Sequence, residues 1–166
     1  MPGDGSRELF VVVALPEPLA VGRLISRRAW PAHVTLASNF VVGVPRDAVL
    51  GIVGDVCAHE PPLMLRFGAA ALFGPGKDVA VQLVESAQIL ALHERLADTL
   101  ESLEGFAADA PAYWREGYRP HMTHVPDVST PAGERARLRF VAVAVMTGSS
   151  ATVVSTIVLG PDAGGG

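Results

Sequence analysis

The sequence predicts an antiparallel α+β domain, and three observations carry that prediction. Apolar residues fill 49% of the 166 positions and charged ones only 18%, enough for one sizeable core and too little charge for a disordered chain. Strand-like and helical stretches are mixed without the strict βαβα alternation of a doubly wound sheet. Hairpin signals recur, once around a Gly/Pro-rich loop in 63–84 and again in 138–159.

Glu8 to Leu15 reads as a first strand, closed by Pro16-Glu17-Pro18. Leu19, Val21, Leu24 and Ile25 then recur at helical spacing and predict a short helix ending before Trp30-Pro31. His33 to Val42 alternates as a strand. Pro45-Arg46-Asp47 opens a helix whose apolar positions Val49, Leu50, Val53, Val56 and Cys57 keep a helical period until Pro61-Pro62. Leu63 to Phe73 and Val79 to Val84 are strands around Gly74-Pro75-Gly76-Lys77-Asp78.

The clearest helix runs from Ser86 to about Leu103, with Ile89, Leu90, Leu92, Leu96, Leu100 and Leu103 on one side and Glu94, Arg95, Asp98 and Glu101 on the other. His59 and His93 read as surface residues of their helices. Residues 105–118 form a loop with one turn of helix, Tyr118 to Val125 a strand, and Pro131 to Arg137 a short helix or loop. Leu138 to Leu159 is the closing hairpin. Strand, helix, strand appears early and again around the long helix, a rough duplication. Residues 1–162 are expected to form a single domain, with 163–166 a disordered glycine-rich tail.

From Phe140 to Pro161 there is no charged residue, and the mean hydropathy of the chain is +0.34. That run is long enough to span a bilayer. Its middle, however, is the turn cluster Thr147-Gly148-Ser149-Ser150, with β-branched residues on both sides, so a hairpin is expected and no membrane partner. Met1 to Glu8 has no pattern of a secretory signal. Cys57, the single cysteine, has no internal partner for a disulfide and fits a reducing cytoplasm.

Thirteen Lys+Arg against seventeen Asp+Glu give a formal net charge of −4. Gripping a long nucleic acid requires neutralising many phosphates, so no extended nucleic-acid groove is expected. A small phosphorylated ligand or a strand end remains compatible, served by local basic clusters at Arg23, Arg27 and Arg28 or at Arg115 and Arg119.

One short pattern occurs twice: Pro31-Ala32-His33-Val34-Thr35-Leu36 and Arg119-Pro120-His121-Met122-Thr123-His124. On a strand, His and Thr two positions apart share a face while the residue between them turns to the other. Two such strands side by side would gather two imidazoles and two hydroxyls. One imidazole can take a proton from an attacking oxygen while the other protonates a leaving oxygen, because an imidazole populates both states near neutrality. Threonine hydroxyls can donate to non-bridging phosphate oxygens. No metal or cofactor is required by this arrangement. His121 with His124 as a metal pair would need a helix, which Pro120 and Pro126 oppose.

The two motifs, with Trp30 before the first, Phe40 after it and Tyr118-Arg119-Pro120-His121-Met122-Thr123 at the second, resemble the 2H phosphoesterase superfamily, and within it the bacterial 2′-5′ RNA ligase and cyclic phosphodiesterase group. The resemblance implies a bilobal fold of two pseudo-symmetric antiparallel-sheet lobes with flanking helices around a central cleft. It also implies metal-independent opening of 2′,3′-cyclic phosphates, or reversible joining of RNA ends through a 2′-5′ linkage. His33 and His121 would be the acid/base pair, and Thr35 and Thr123 would hold the phosphate.

His124 departs from the family pattern, which wants an apolar residue after each threonine, and Val125-Pro126 stands where RNA-ligase relatives often carry a basic residue. The partner expected is therefore a nucleotide or short RNA end with a cyclic phosphate; the sequence leaves the oligomeric state open, with a monomer favoured. Phe40, Trp114 and Tyr118, with Trp30 and Tyr113, are candidates to stack on a base. The alternative function is a non-catalytic module that captures an RNA end or cyclic oligonucleotide in the same cleft.

Overall fold

The computed structural model describes residues 7–26, 29–73, 76, 79–123 and 130–160. Strands β1 (Leu9–Leu15), β2 (Leu24–Ser26) and β3 (His33–Val41) precede helix α1 (Arg46–Cys57). Strands β4 (Leu63–Phe73) and β5 (Val79–Glu85) lead into α2 (Ala87–Leu100). The chain then forms β6 (Ala107–Ala108), two 3₁₀ turns at Pro111–Tyr113 and Arg115–Gly117, β7 (His121–Thr123), β8 (Arg135–Leu138), β9 (Phe140–Thr147) and β10 (Ser150–Val158).

The ten strands among the described residues belong to one sheet with the order β2-β10-β9-β1-β3-β7-β5-β4-β8, and β6 adds to β3. Every neighbouring pair is antiparallel. The expected α+β class holds. The two halves expected as lobes are the blocks on either side of the β3–β7 seam, fused into one open sheet rather than standing as separate sheets. That seam is short: His33 stands opposite Thr123 and Val34 opposite Met122.

Alternation along the strands sorts the core into two clusters. Phe10, Val12 and Ala14 of β1, with Val141, Val143 and Val145 of β9, face the side on which both helices pack. There α1 contributes Val49, Val53 and Cys57, and α2 contributes Ile89, Leu92, Leu96, Ala97 and Leu100. The valine, leucine and isoleucine side chains among these are worth about 1.5–3 kcal/mol each when fully buried. Val11, Val13 and Leu15 face the opposite side, where Ala142, Ala144, Ala151 and Val153 meet Leu19 and Ile25.

The uncharged C-terminal run is the hairpin β9–β10. Thr147 pairs with Ser150, leaving a two-residue loop in which Gly148 takes φ +59°. Glycine at the first loop position is the type II′ arrangement, whose twist matches that of the strands. Ser86 caps α2, its Oγ accepting from the Ile89 N–H at 3.1 Å.

Three expectations are corrected. The helix expected over Leu19 to Ile25 is a turn followed by β2, because the Gly22 N–H donates to the Val153 carbonyl and the Val153 N–H to the Arg23 carbonyl, drawing the segment onto β10. Burial then alternates over Leu24–Ser26, with only Ile25 inside. The helix or loop expected over Pro131 to Arg137 contains β8, which adds to β4 at the sheet edge. On α2, Leu90 is exposed and His93 is 1% exposed, the reverse of the expected sides. His93 follows Ile89 by one helical turn, so it lies in the apolar stripe. Arg27, Arg28, His124 and the tail 163–166 lie outside the described residues.

Candidate active site

The proline-led approaches to β3 and β7 bring the two motifs together at the seam. Continuing the register one residue beyond Val34 with Met122 sets Thr35 opposite His121. Thr35 is also opposite Val13 of β1, and His121 opposite Leu83 of β5. Directly opposed residues share a face. Val34 and Met122, 0% and 3% exposed, face the helices. His33, Thr35 and His121 therefore fall on the other face, next to the smaller core cluster. His33 and His121 are diagonal neighbours, with Cα atoms roughly 7–8 Å apart by ordinary sheet geometry. Thr123 is placed beside them by its backbone register.

Both imidazoles are oriented by the same device. Nδ1 of His33 donates to the Pro31 carbonyl at 2.8 Å, and Nδ1 of His121 donates to the Arg119 carbonyl at 2.9 Å. A carbonyl can only accept, so Nδ1 carries the proton and the lone pair of the neutral ring sits on Nε2. Burial pushes the pKa of each ring below the usual imidazole value of 6.5, opposed by these carbonyl bonds. The charge of His121 lowers His33 further, and that of Arg119 lowers His121. The Trp30 ring packs at 5.0 Å from that of His33, inclined by 46°.

The expected base-stacking residues are corrected in part. Phe40 is fully buried, between Phe10 and Phe106 with Trp114 at its edge, and Trp114 itself is 5% exposed among Phe40, Phe106 and His93. Their rings are core and offer no face to a base. Tyr118 stacks one ring face on His93 at 3.9 Å and 7°, and its hydroxyl donates to the Thr35 carbonyl. Trp30 is half-buried and Tyr113 exposed. Arg115, expected as local positive potential, is neutralised by Glu94 and Asp98 of α2 and by Glu101 at its C-cap.

Sequence reasoning missed His93 and the structural use of Tyr118. The helical period of α2 would have flagged His93. Burial pushes the Cys57 thiol up to about 12, so it is no nucleophile. Among the described residues, no three His, Cys, Asp or Glu side chains are placed to hold a metal ion. No described helix is long and apolar enough to cross a membrane. A groove of about 470 Å³ between α1 and α2, lined by His59, Glu60, Arg95 and Asp98 among others, lies on the helix side, away from the motifs.

The sheet carries the two His-x-Thr strands side by side, as the resemblance to the 2H phosphoesterases implied. Residues 17–154 match the family model of the 2′-5′ RNA ligase superfamily, and the chain belongs to that family. Among solved structures, one described as a phosphoesterase and the Escherichia coli LigT complexed with 3′-AMP each align with TM-score 0.56 at 16% identity, covering 94% of this chain and 100% of theirs. TT0787 of Thermus thermophilus aligns with TM-score 0.54 at 18% identity, covering 92% of this chain and 97% of that one. At those identities the likeness establishes the fold. No curated protein matches the sequence.

Proposed function

We propose that the chain is a metal-independent phosphodiesterase that opens 2′,3′-cyclic phosphates, or related 2′-5′ phosphodiesters, of nucleotides or RNA ends. The observation that carries this proposal is the diagonal pairing of His33 and His121 on one sheet face, each anchored through Nδ1 to a main-chain carbonyl two residues earlier. Two rings tied in the same tautomer direct the same atom, Nε2, at what lies between them. For hydrolysis, one Nε2 takes a proton from water as its oxygen attacks phosphorus. The bond from phosphorus to the 3′ oxygen breaks, and the other ring, protonated at Nε2, gives its proton to that oxygen, leaving a 2′-phosphate. The hydroxyls of Thr35 and Thr123 donate to the non-bridging oxygens, where negative charge grows.

LigT is described in complex with 3′-AMP, NADP+ and ATP, which supports a nucleotide as ligand here. The lone buried Cys57 supports action in the cytoplasm. The test is hydrolysis of nucleoside 2′,3′-cyclic phosphates in EDTA. Wild type should turn over, and His33→Ala and His121→Ala should each lose about 10²–10⁴-fold. Binding without turnover would leave the non-catalytic module, and a requirement for added metal would overturn the mechanism.

A further inference from the structure

The segment that leads into the second motif also reaches back to the first. Tyr118 lies three residues before His121, and its hydroxyl donates to the Thr35 carbonyl at 2.7 Å. The described β3–β7 ladder pairs His33 with Thr123 and Val34 with Met122, and this bond adds a tie one residue further along β3.

Beneath the tyrosine ring, His93 makes a second tie. Its Nδ1 donates to the Leu36 carbonyl at 2.8 Å, and its Nε2 accepts from the Arg115 N–H at 3.0 Å. Leu36 is the extra residue of a β-bulge, between the pairs Val13 with Thr35 and Val12 with Ala37. A bulged residue leaves the regular ladder, and its backbone must be satisfied elsewhere. Two consecutive carbonyls of the first motif strand are thus held by side chains from α2 and from the approach to β7. The stack of Tyr118 on His93, 3.9 Å between centroids and 7° from parallel, holds the phenol on line with Thr35.

We propose that Tyr118, braced by His93, is a positioning residue that holds the Thr35 end of the first motif against the second. The role rests on the phosphodiesterase reading, in which the Thr35 hydroxyl and the two imidazoles must meet one phosphate. A displacement on the order of 1 Å can cost about 10²-fold in rate. The Tyr118 ring and its stack survive in Tyr118→Phe, whereas the bond to Thr35 does not.

The experiment compares wild type, Tyr118→Phe and Tyr118→Leu on a nucleoside 2′,3′-cyclic phosphate, at a temperature where denaturation curves show each folded. In Tyr118→Phe, kcat should fall about tenfold with KM changed less than about twofold, and the limbs of the pH profile should stay in place. Tyr118→Leu should lose at least as much in kcat. If Tyr118→Phe keeps wild-type kcat, or if Tyr118→Leu loses only through a raised KM as a base platform would, the positioning role is overturned. In either case an active wild type leaves the phosphodiesterase reading standing. An inert wild type removes that reading and the positioning role with it.

Discussion

His93→Phe tests the internal bracket through stability and pH together. The phenyl ring keeps a stack on Tyr118 but offers nothing to the Leu36 carbonyl or the Arg115 N–H, each of which His93 satisfies inside the protein. A polar group left unsatisfied costs about 1–3 kcal/mol, so the two together predict a loss of about 2–6 kcal/mol at pH 7.5. Acid narrows the gap. Burial, chiefly, holds the His93 pKa below 6.5; the Leu36 bond opposes it, and Glu94 and Glu101 raise the value while Arg115 lowers it.

Because His93 accepts the Arg115 N–H at Nε2, the native state resists protonation there. Below pH 6.5 the unfolded chain takes up a proton that the native chain refuses, and wild type loses that part of its stability as pH falls toward the lowered native value. Phenylalanine has no such proton, so the deficit of His93→Phe should shrink between pH 6.5 and 5. Urea denaturation of both proteins across that range measures it. A deficit that stays constant or widens on acidification would refute the assignment of His93 as a buried neutral ring.

Two further outcomes follow from the same geometry. The proposed mechanism needs one imidazole neutral and the other charged, and both rings are held below the ordinary value of 6.5, chiefly by burial; kcat/KM should trace a bell with its maximum below pH 6.5. A maximum well above pH 6.5 would contradict the burial of the pair. Gly117→Ala should lower Tm by several degrees, because a Cβ there would sit 1.8 Å from the Ala112 carbonyl oxygen and force apart the turns that carry Trp114 and Arg115. An unchanged melting curve would show that the backbone yields without cost.

Much of the local structure was legible because it depends on period and punctuation. β4, β5, α1 and the β9–β10 hairpin follow from alternation, proline placement and a glycine turn. The segment 19–26 misled because four apolar residues at helical spacing are also compatible with a turn and a short edge strand, and only the β10 edge chooses between them. His93 misled for another reason: a titratable side chain was given its average preference for the surface, although Ile89, Leu92 and Leu96 around it already marked that face as buried. Phe40 and Trp114 could not be told from binding aromatics by residue type, since a ring that packs and a ring that stacks on a ligand have the same composition.

The residues of the proposed site are written in the sequence: two histidines and two threonines, each pair at the two-residue spacing that turns both side chains to one face of a strand. That they could serve phosphodiester chemistry follows from imidazole and hydroxyl chemistry alone. That they meet was decided by the tertiary structure, through the β3–β7 register, which sets Thr123 opposite His33 and brings His121 onto its diagonal. The tertiary structure also set both helices on the other face of the sheet, leaving the motif face beside the smaller cluster. Register between strands 88 positions apart depends on which long-range backbone bonds form and which faces are buried, and no local period encodes it.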